Sequence, residues 1–302
     1  MNILFVSDDV YARHLVVAIK SIINHNEKGI SFYIFDLGIK DENKRNINDI
    51  VSSYGSEVNF IAVNEKEFES FPVQISYISL ATYARLKAAE YLPDNLNKII
   101  YLDVDVLVFN SLEMLWNVDV NNFLTAACYD SFIENEKSEH KKSISMSDKE
   151  YYFNAGVMLL NLDEWRKMDV FSRALDLLAM YPNQMIYQDQ DILNILFRNK
   201  VCYLDCRFDF MPNQLERIKQ YHKGKLSNLH SLEKTTMPVV ISHYCGPEKA
   251  WHADCKHFNV YFYQKILAEI TRGTDKERVL SIKTYLKALI RRIRYKFKYQ
   301  VY

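Results

Sequence analysis

The stretch Lys98-Ile99-Ile100-Tyr101-Leu102-Asp103-Val104-Asp105-Val106-Leu107-Val108 decides how the rest of the chain is read. Apolar, β-branched runs of this kind form buried strands, yet this one carries two carboxylates at i and i+2. Read as one extended strand, it places Asp103 and Asp105 on the same side of a sheet. Two like charges that close repel unless a cation lies between them or one is protonated. A bare D-x-D is usually a solvated strand end, but an apolar strand rarely buries two acids without a use for them. The segment points to a divalent metal.

Working outward, similar runs recur at Ile3–Val6, Ser31–Leu37, Val58–Val63, Phe123–Tyr129, Phe153–Asn161, Val201–Leu204 and Val239–Tyr244. Between several of them lie helical patterns, over Tyr11–His25, Ser79–Tyr91, Asp163–Tyr181 (with Asp163 as N-cap) and Ile186–Phe197. Strands alternating with helices predict an α/β fold with a largely parallel sheet. In such folds ligands sit beyond the carboxyl ends of the strands, so polar residues that terminate apolar strands are the ones to examine. Leu215–Thr236 reads as a long surface loop, and the charged stretch 130–150 as a lid.

The chain has 302 residues with 38 basic and 38 acidic side chains, a formal net charge of zero. The charge is unevenly spread. Arg278–Tyr302 holds eight basic residues and no acidic one, which leaves 30 basic against 38 acidic in the body. An acidic body repels polyanions, which argues against nucleic acid as a partner. The seven glycines form neither G-x-G-x-x-G nor a Walker loop, so a phosphorylated ligand must be neutralised by metal or Lys/Arg. The five irregularly spaced cysteines read as free thiols of a reducing compartment. Asn2–Val6 is too short for a signal core, and no apolar run approaches the ~18 residues of a membrane span. The expected location is cytoplasmic.

Three further clusters close apolar segments. Asp8-Asp9 follows the first strand, either as turn chemistry and helix cap or as a donor-site polar group. Gln188-Asp189-Gln190-Asp191 suits a helix N-terminus or a polar platform under a sugar. His243 ends the run Val239–Ile241, as a structural imidazole or as the third ligand for the aspartates, with Lys249 a cation nearby. Two carboxylates and one imidazole favour a moderately hard ion, Mn²⁺ before Zn²⁺.

Six motifs in order, Ser7-Asp8-Asp9-x-Tyr11, Thr82-Tyr83-Ala84-Arg85-Leu86, Tyr101-Leu102-Asp103-x-Asp105, Tyr152-Phe153-Asn154-Ala155-Gly156-Val157, Gln188-Asp189-Gln190-Asp191 and His243-x-x-Gly246-x-x-Lys249, resemble glycosyltransferase family 8. Within it the chain is most similar to the bacterial lipooligosaccharide α-1,4-galactosyltransferases. The resemblance runs from Met1 to about Phe258 and loosely through the tail. It implies a single-domain nucleotide-sugar-binding fold of the GT-A type, with a mixed, mainly parallel sheet and a helical basic C-terminal tail. The implied division is a catalytic domain over 1–258 and a basic, membrane-associating segment over 259–302. It implies UDP-galactose as donor and Mn²⁺ bound by Asp103, Asp105 and His243. Asp8 would lie near the uridine. Arg85, Asp103, Asn154 and Asp189 would hold donor-sugar hydroxyls, and Gly246 and Lys249 the diphosphate. Gln190 would lie beneath the anomeric carbon. Tyr77, Thr82, Asp130, Phe132, Pro212 and Cys245 would surround a terminal lactose. Two positions depart from the pattern: Val10 stands where the family has Asn near the base, and Ala250 where it has Pro before Trp251.

The implied reaction is retaining transfer of galactose to a lipid-linked lipooligosaccharide. Its alternatives are a UDP-glucose-dependent α-glucosyltransferase of lipopolysaccharide core synthesis and a non-enzymatic sugar-nucleotide-binding regulator. A haloacid-dehalogenase-type phosphatase fits less well, because Leu107 stands where that motif wants Thr or Val. An amide at Gln190 is a poor nucleophile, so front-face attack is expected, with Asp191 the alternative nucleophile. In the tail, Ile282, Leu286, Leu289, Ile293 and Phe297 share one helical sector, flanked by Lys283, Lys287, Arg291, Arg294 and Lys298. The expectation is an interfacial helix holding the enzyme peripherally on the anionic inner face of the membrane.

Overall fold

The computed structural model describes residues 1–69, 71–72, 80–181, 183–234, 238–252, 255, 257, 259–270 and 282–299. Nine strands are formed among them: β1 (Asn2–Asp8), β2 (Ser31–Leu37), β3 (Glu57–Ala62), β4 (Lys98–Leu102), β5 (Val106–Val108), β6 (Thr125–Tyr129), β7 (Phe153–Asn161), β8 (Val201–Leu204) and β9 (Ile241–His243). Seven of them make one sheet in the order β3-β2-β1-β4-β7-β6-β8. β1, β2, β3 and β4 run parallel, and β8 is parallel to β6; only β7 runs against its neighbours β4 and β6. This is the mixed, mainly parallel sheet of a GT-A fold.

Both faces of the central strands are covered, which is why they read as apolar runs, whereas the edge strands β3 and β8 are only partly buried. Ile3 and Phe5 pack with Leu15, Ile19 and Ile22 of helix Ala12–Ile23 on one face. Leu4 and Val6 pack with Phe35, Tyr83, Trp165 and Phe197 on the other. Lys98–Val108 is not one strand. β4 stops at Leu102, the chain turns through Asp103-Val104-Asp105, and β5 leaves to pair antiparallel with β9 in a second, two-stranded sheet. The two carboxylates converge through this turn, not through the pleat.

Other boundaries differ for local reasons. Asp163–Tyr181 is two helices, Leu162–Met168 and Val170–Met180, broken where Asp169 adopts a left-handed conformation (φ 55°, ψ 63°). The N-cap is Asn161, whose side chain accepts from the Glu164 N–H, and not Asp163. The Ser79–Tyr91 pattern is a 3₁₀ helix, Leu80–Lys87, running into the short α-helix Ala88–Tyr91. Part of the expected loop Leu215–Thr236 is helix Pro212–His222, begun by a proline at N1 and held by buried Gln214, Leu215 and Ile218. The stretch 130–150 carries two short helices, Ser131–Glu136 and Ser138–Ser143, over a small core of Ile133, Ile144, Met146 and Tyr152.

After the last strand come helices Val260–Ile270 and Ile282–Tyr299. The final helix presents Ala288, Tyr295 and Tyr299 inward and lays the Arg292 guanidinium 4.1 Å from the Phe262 ring centroid. Its outer face exposes Leu286, Ile290, Ile293 and Phe297, with Lys287, Arg294, Lys296 and Lys298 beside them, while Leu289 is half-buried. Among the described residues no helix is long and apolar enough to cross a membrane.

Candidate active site

The carboxyl ends of β1, β4, β6 and β9 open onto one cavity of about 420 Å³. Because β7 is antiparallel to β4 and β6, its beginning, Asn154-Ala155-Gly156, comes to the same rim.

Asp103 is fixed by its neighbours before any ligand arrives. The Tyr101 hydroxyl donates to Oδ1 (2.6 Å) and the Arg85 guanidinium lies 3.0 Å from the same oxygen. Oδ2 is left to face His243 Nε2 at 3.8 Å, and Asp105 Oδ1 lies 3.2 Å from that nitrogen. Ligand atoms of Asp103, Asp105 and His243 fall within 4.8 Å of one another. The other ring nitrogen of His243 lies 2.9 Å from Asp209 Oδ1. A buried carboxylate behind an imidazole is the usual orienting partner of a metal-bound histidine, so the donor set fits a divalent cation. Burial works against a charge on His243, but Asp209 and Asp105 hold it protonated well above the usual histidine range. Burial likewise opposes ionisation of Asp105, and Lys249 and His243 overcome it, holding that carboxyl far below its ordinary value. The Lys249 ammonium contacts Asp105 Oδ2 directly.

Gly156 makes this packing feasible. A Cβ there would lie 2.2 Å from His243 Cε1 and 2.9 Å from Asp103 Oδ2. Its carbonyl accepts from the Asp103 N–H (2.8 Å), and its own N–H donates to Asn154 Oδ1 (2.9 Å).

Arg85 links this cluster to Asp189 and Thr82, residues expected on the sugar and acceptor side. Buried in the wall, it donates to the Ala155 carbonyl (2.6 Å) and Thr82 Oγ1 (2.6 Å), pairs with Asp189 (2.9 Å), and stacks 4.4 Å from the Tyr101 ring centroid. Burial raises the Asp189 carboxyl to about 6 despite the pull of Arg85. Gln190 Oε1 accepts from the Ala155 N–H (2.9 Å), and its amide nitrogen donates to Asp130 Oδ2 (3.2 Å). Asp130 caps helix Ser131–Glu136 through Oδ1 and receives Asn154 on Oδ2 (3.1 Å).

The cavity thus gathers Asp8, Arg85, Asp103, Asp105, Asn154, Asp189, Gln190, His243, Gly246 and Lys249, and from the acceptor set Thr82, Asp130, Phe132, Pro212 and Cys245. Tyr77 lies outside the described residues. Asp191 is not in the lining. It is fully buried behind it, with the Tyr152 hydroxyl (2.6 Å) and His140 Nε2 (2.7 Å) on Oδ1 and the Tyr187 N–H on Oδ2 (2.8 Å). Those contacts leave it no path to a ligand in the cavity, which removes it as a nucleophile in this geometry. Asp8 also holds the turn into the first helix, accepting from the Tyr11 N–H (2.9 Å). The Gly246–Lys249 loop is anchored by Trp251, stacked 3.8 Å from the His14 ring, whose proton affinity burial lowers to about 4.

Sequence reasoning places Tyr101 and Gly156 in motifs without giving either a role in the site, and it misses Asp209 altogether. Gly156 had a signal, since glycine inside a strand marks close approach of another group. Asp209, alone between Phe208 and Phe210, had a weaker one.

Residues 2–255 match the family described as glycosyl transferase family 8. The galactosyltransferase LgtC, solved in complex with donor and acceptor sugar analogues, superposes with a TM-score of 0.83 at 40% identity, over 92% of this chain and 98% of its own. A Haemophilus influenzae protein is 44% identical over 275 residues, 91% of this chain and 80% of its own length. The lipopolysaccharide 1,2-glucosyltransferase of Escherichia coli K12 is 26% identical over 282 residues, 92% of this chain and 80% of its own. A match over nearly the whole body, on a fold whose six motifs meet around one cavity, makes the identification: this chain is an enzyme that belongs to glycosyl transferase family 8.

Proposed function

We propose that this enzyme moves galactose, with retention, from UDP-galactose to a terminal lactose or galactose of a lipid-linked oligosaccharide, forming an α-1,4 linkage with Mn²⁺ as cofactor. The observation that carries the reading is the shared wall in which Arg85 bridges the metal-type cluster, through Asp103, to the sugar-side platform, through Asp189. A nucleotide sugar needs that arrangement, with its diphosphate at one end and its hexose at the other. The galactosyltransferase at 40% identity favours galactose, and the glucosyltransferase relative makes UDP-glucose the rival donor.

The bond from the anomeric carbon to the diphosphate oxygen breaks, and the acceptor hydroxyl oxygen bonds to that carbon from the same face. Its proton passes to the departing phosphate oxygen. Asp103, Asp105 and His243 would hold a divalent ion, which when bound would supply Lewis-acid stabilisation of the leaving diphosphate. Lys249, released from Asp105, adds a second positive charge there. Gln190 lines the cavity, and its carbonyl oxygen, which also accepts from the Ala155 N–H, would stabilise the cationic sugar through its remaining lone pair. Offering UDP-galactose and UDP-glucose with Mn²⁺ and lactose, then determining the linkage by NMR, tests the reading. An α-1,4-galactosyl product supports it. A glucosyl product moves the enzyme to the rival donor, and binding without turnover to a regulator.

Asp189 gives this reading a pH signature. As a carboxylate it accepts from Thr82 and pairs with Arg85; protonation near 6 weakens that pairing. Donor kcat/KM is expected to rise with pH through about 6 and then level. The Asp189→Asn variant should lack that limb in its residual activity, as pH–rate profiles of both would reveal.

The outer stripe Leu286, Ile290, Ile293 and Phe297 with its basic neighbours supports docking on anionic lipid, where each basic residue adds ~1 kcal/mol. The double variant Ile290→Glu/Phe297→Glu changes only exposed positions. It is expected to lose co-sedimentation with phosphatidylglycerol-containing vesicles while keeping transfer to free lactose. Unchanged sedimentation would remove the lipid role.

A further inference from the structure

Gln190 and Asp189 face the cavity because of an unusual turn. Gln188, immediately before helix Asp189–Leu196, has φ 52° and ψ −124°, a conformation that a residue with a Cβ adopts only under constraint. The turn is held by Gln190 N–H donating to the Tyr187 carbonyl (3.1 Å) and by Tyr187 N–H donating to Asp191 Oδ2 (2.8 Å). Asp191 is therefore the clamp on the turn, and what fixes Asp191 fixes the two residues before it. Its Oδ1 is held by Tyr152, from the strand side, and by His140, 51 positions earlier in helix Ser138–Ser143. The His140 ring stands edge-on to Tyr187, 5.0 Å between centroids, so it braces both ends of the Asp191–Tyr187 contact. Its helix is tied down in turn, because Lys141 pairs with Glu134 (2.8 Å) and Glu134 accepts from the Tyr152 N–H (2.6 Å).

The geometry points to His140 as a positioning residue for glycosyl transfer, which acts through Asp191 to hold the Gln188 turn and so aim Asp189 and Gln190 at the donor sugar. This rests on the transferase reading above. It gives the last acid of the Gln188–Asp191 motif a task other than nucleophilic attack, and it makes the covering segment 138–143 part of the catalytic geometry.

The test compares His140→Ala, His140→Asn, whose amide is too short to reach Asp191, and His140→Gln, whose amide can donate where Nε2 does. Steady-state transfer, UDP affinity with Mn²⁺, melting temperature and amide hydrogen exchange of residues 187–192 are measured for each. Misaiming a reacting group costs up to ~10²-fold. His140→Ala and His140→Asn are expected to lower kcat about tenfold or more, with donor KM and UDP affinity within about threefold of wild type, and to speed exchange over 187–192. His140→Gln is expected to restore both kcat and protection. Wild-type kcat in His140→Ala overturns the inference, as does equal impairment of all three variants. If only His140→Gln folds, near-wild-type kcat with unchanged protection supports the inference and a tenfold loss overturns it. If the wild type turns over neither UDP-galactose nor UDP-glucose, the transferase reading fails instead, and the exchange data alone still report whether His140 holds the turn.

Discussion

Asp103→Asn and Asp105→Asn are each expected to cut transfer by roughly three orders of magnitude while the protein still folds. Removing one preorganised group that opposes developing charge costs about 10²–10³ in rate, and these two carboxylates would hold the cation that opposes charge on the diphosphate. The variants should differ in kind. Asp103 is partly exposed and its Oδ1 is committed to Tyr101 and Arg85. An asparagine there keeps an acceptor for Tyr101 but loses the charge at Oδ2. Asp105 is buried between the Lys249 ammonium and the His243 ring. Its amide variant takes from the Lys249 ammonium the carboxylate it pairs with and leaves His243 with Asp209 alone behind it, and a broken buried pair of this kind costs ~3–5 kcal/mol. The melting temperature should therefore drop more for Asp105→Asn than for Asp103→Asn, while both show UDP binding that no longer strengthens with Mn²⁺. Calorimetric titration of UDP with and without the metal checks this. Retained metal-enhanced UDP binding in both variants would show that the cation is held elsewhere.

The second large effect is expected from adding one carbon. Gly156→Ala would drive a Cβ to 2.2 Å from His243 Cε1 and 2.9 Å from both Asp103 Oδ2 and His243 Nε2. None of these can yield cheaply. Asp209 holds the imidazole from behind, the Asp103 N–H is bonded to the Gly156 carbonyl, and the strand is paired on both sides. Overpacking of this kind costs about 1–3 kcal/mol. At this chain length that is a fall of several degrees in melting temperature, at ~2–4 °C per kcal/mol. The activity loss should be disproportionate, at least ~10²-fold, because the displaced atoms are the proposed ligands themselves. Gly156→Ala with normal melting and near-normal transfer would mean that the His243–Asp103 spacing is not what the reaction uses.

How far this site could be read from the sequence depended on what kind of contact made it. The bounds of Ser31–Leu37 and Phe153–Asn161 are legible to the residue because strands buried on both faces are mostly apolar, and those of the half-buried edge strand Val201–Leu204 because it is a short apolar run between Lys200 and Asp205. The carboxylates stood out for the converse reason, as charges where the pattern called for none. What the pattern could not show was that Lys98–Val108 changes sheets at Asp103, since a turn that delivers two strands to different sheets keeps both halves apolar. Helix Pro212–His222 was hidden because only Gln214, Leu215 and Ile218 reach the core, too few to outweigh its polar face. Arg85, as a hub between Asp103 and Asp189, is a purely tertiary arrangement joining residues up to 104 positions apart. The burial of Asp191 is of the same sort. Its partners His140 and Tyr152 come from other segments, and nothing local distinguishes it from Asp189 two residues before.

The most direct measurement is UDP release from UDP-galactose by the intact chain, followed with and without lactose, Mn²⁺ and EDTA. The expected result is slow hydrolysis with Mn²⁺ alone, a large acceleration when lactose is added, and loss of both under EDTA with recovery on restoring Mn²⁺. UDP release that ignores lactose, or that proceeds undiminished in EDTA, would contradict a metal-dependent transfer at the Asp103–Asp105–His243 cluster.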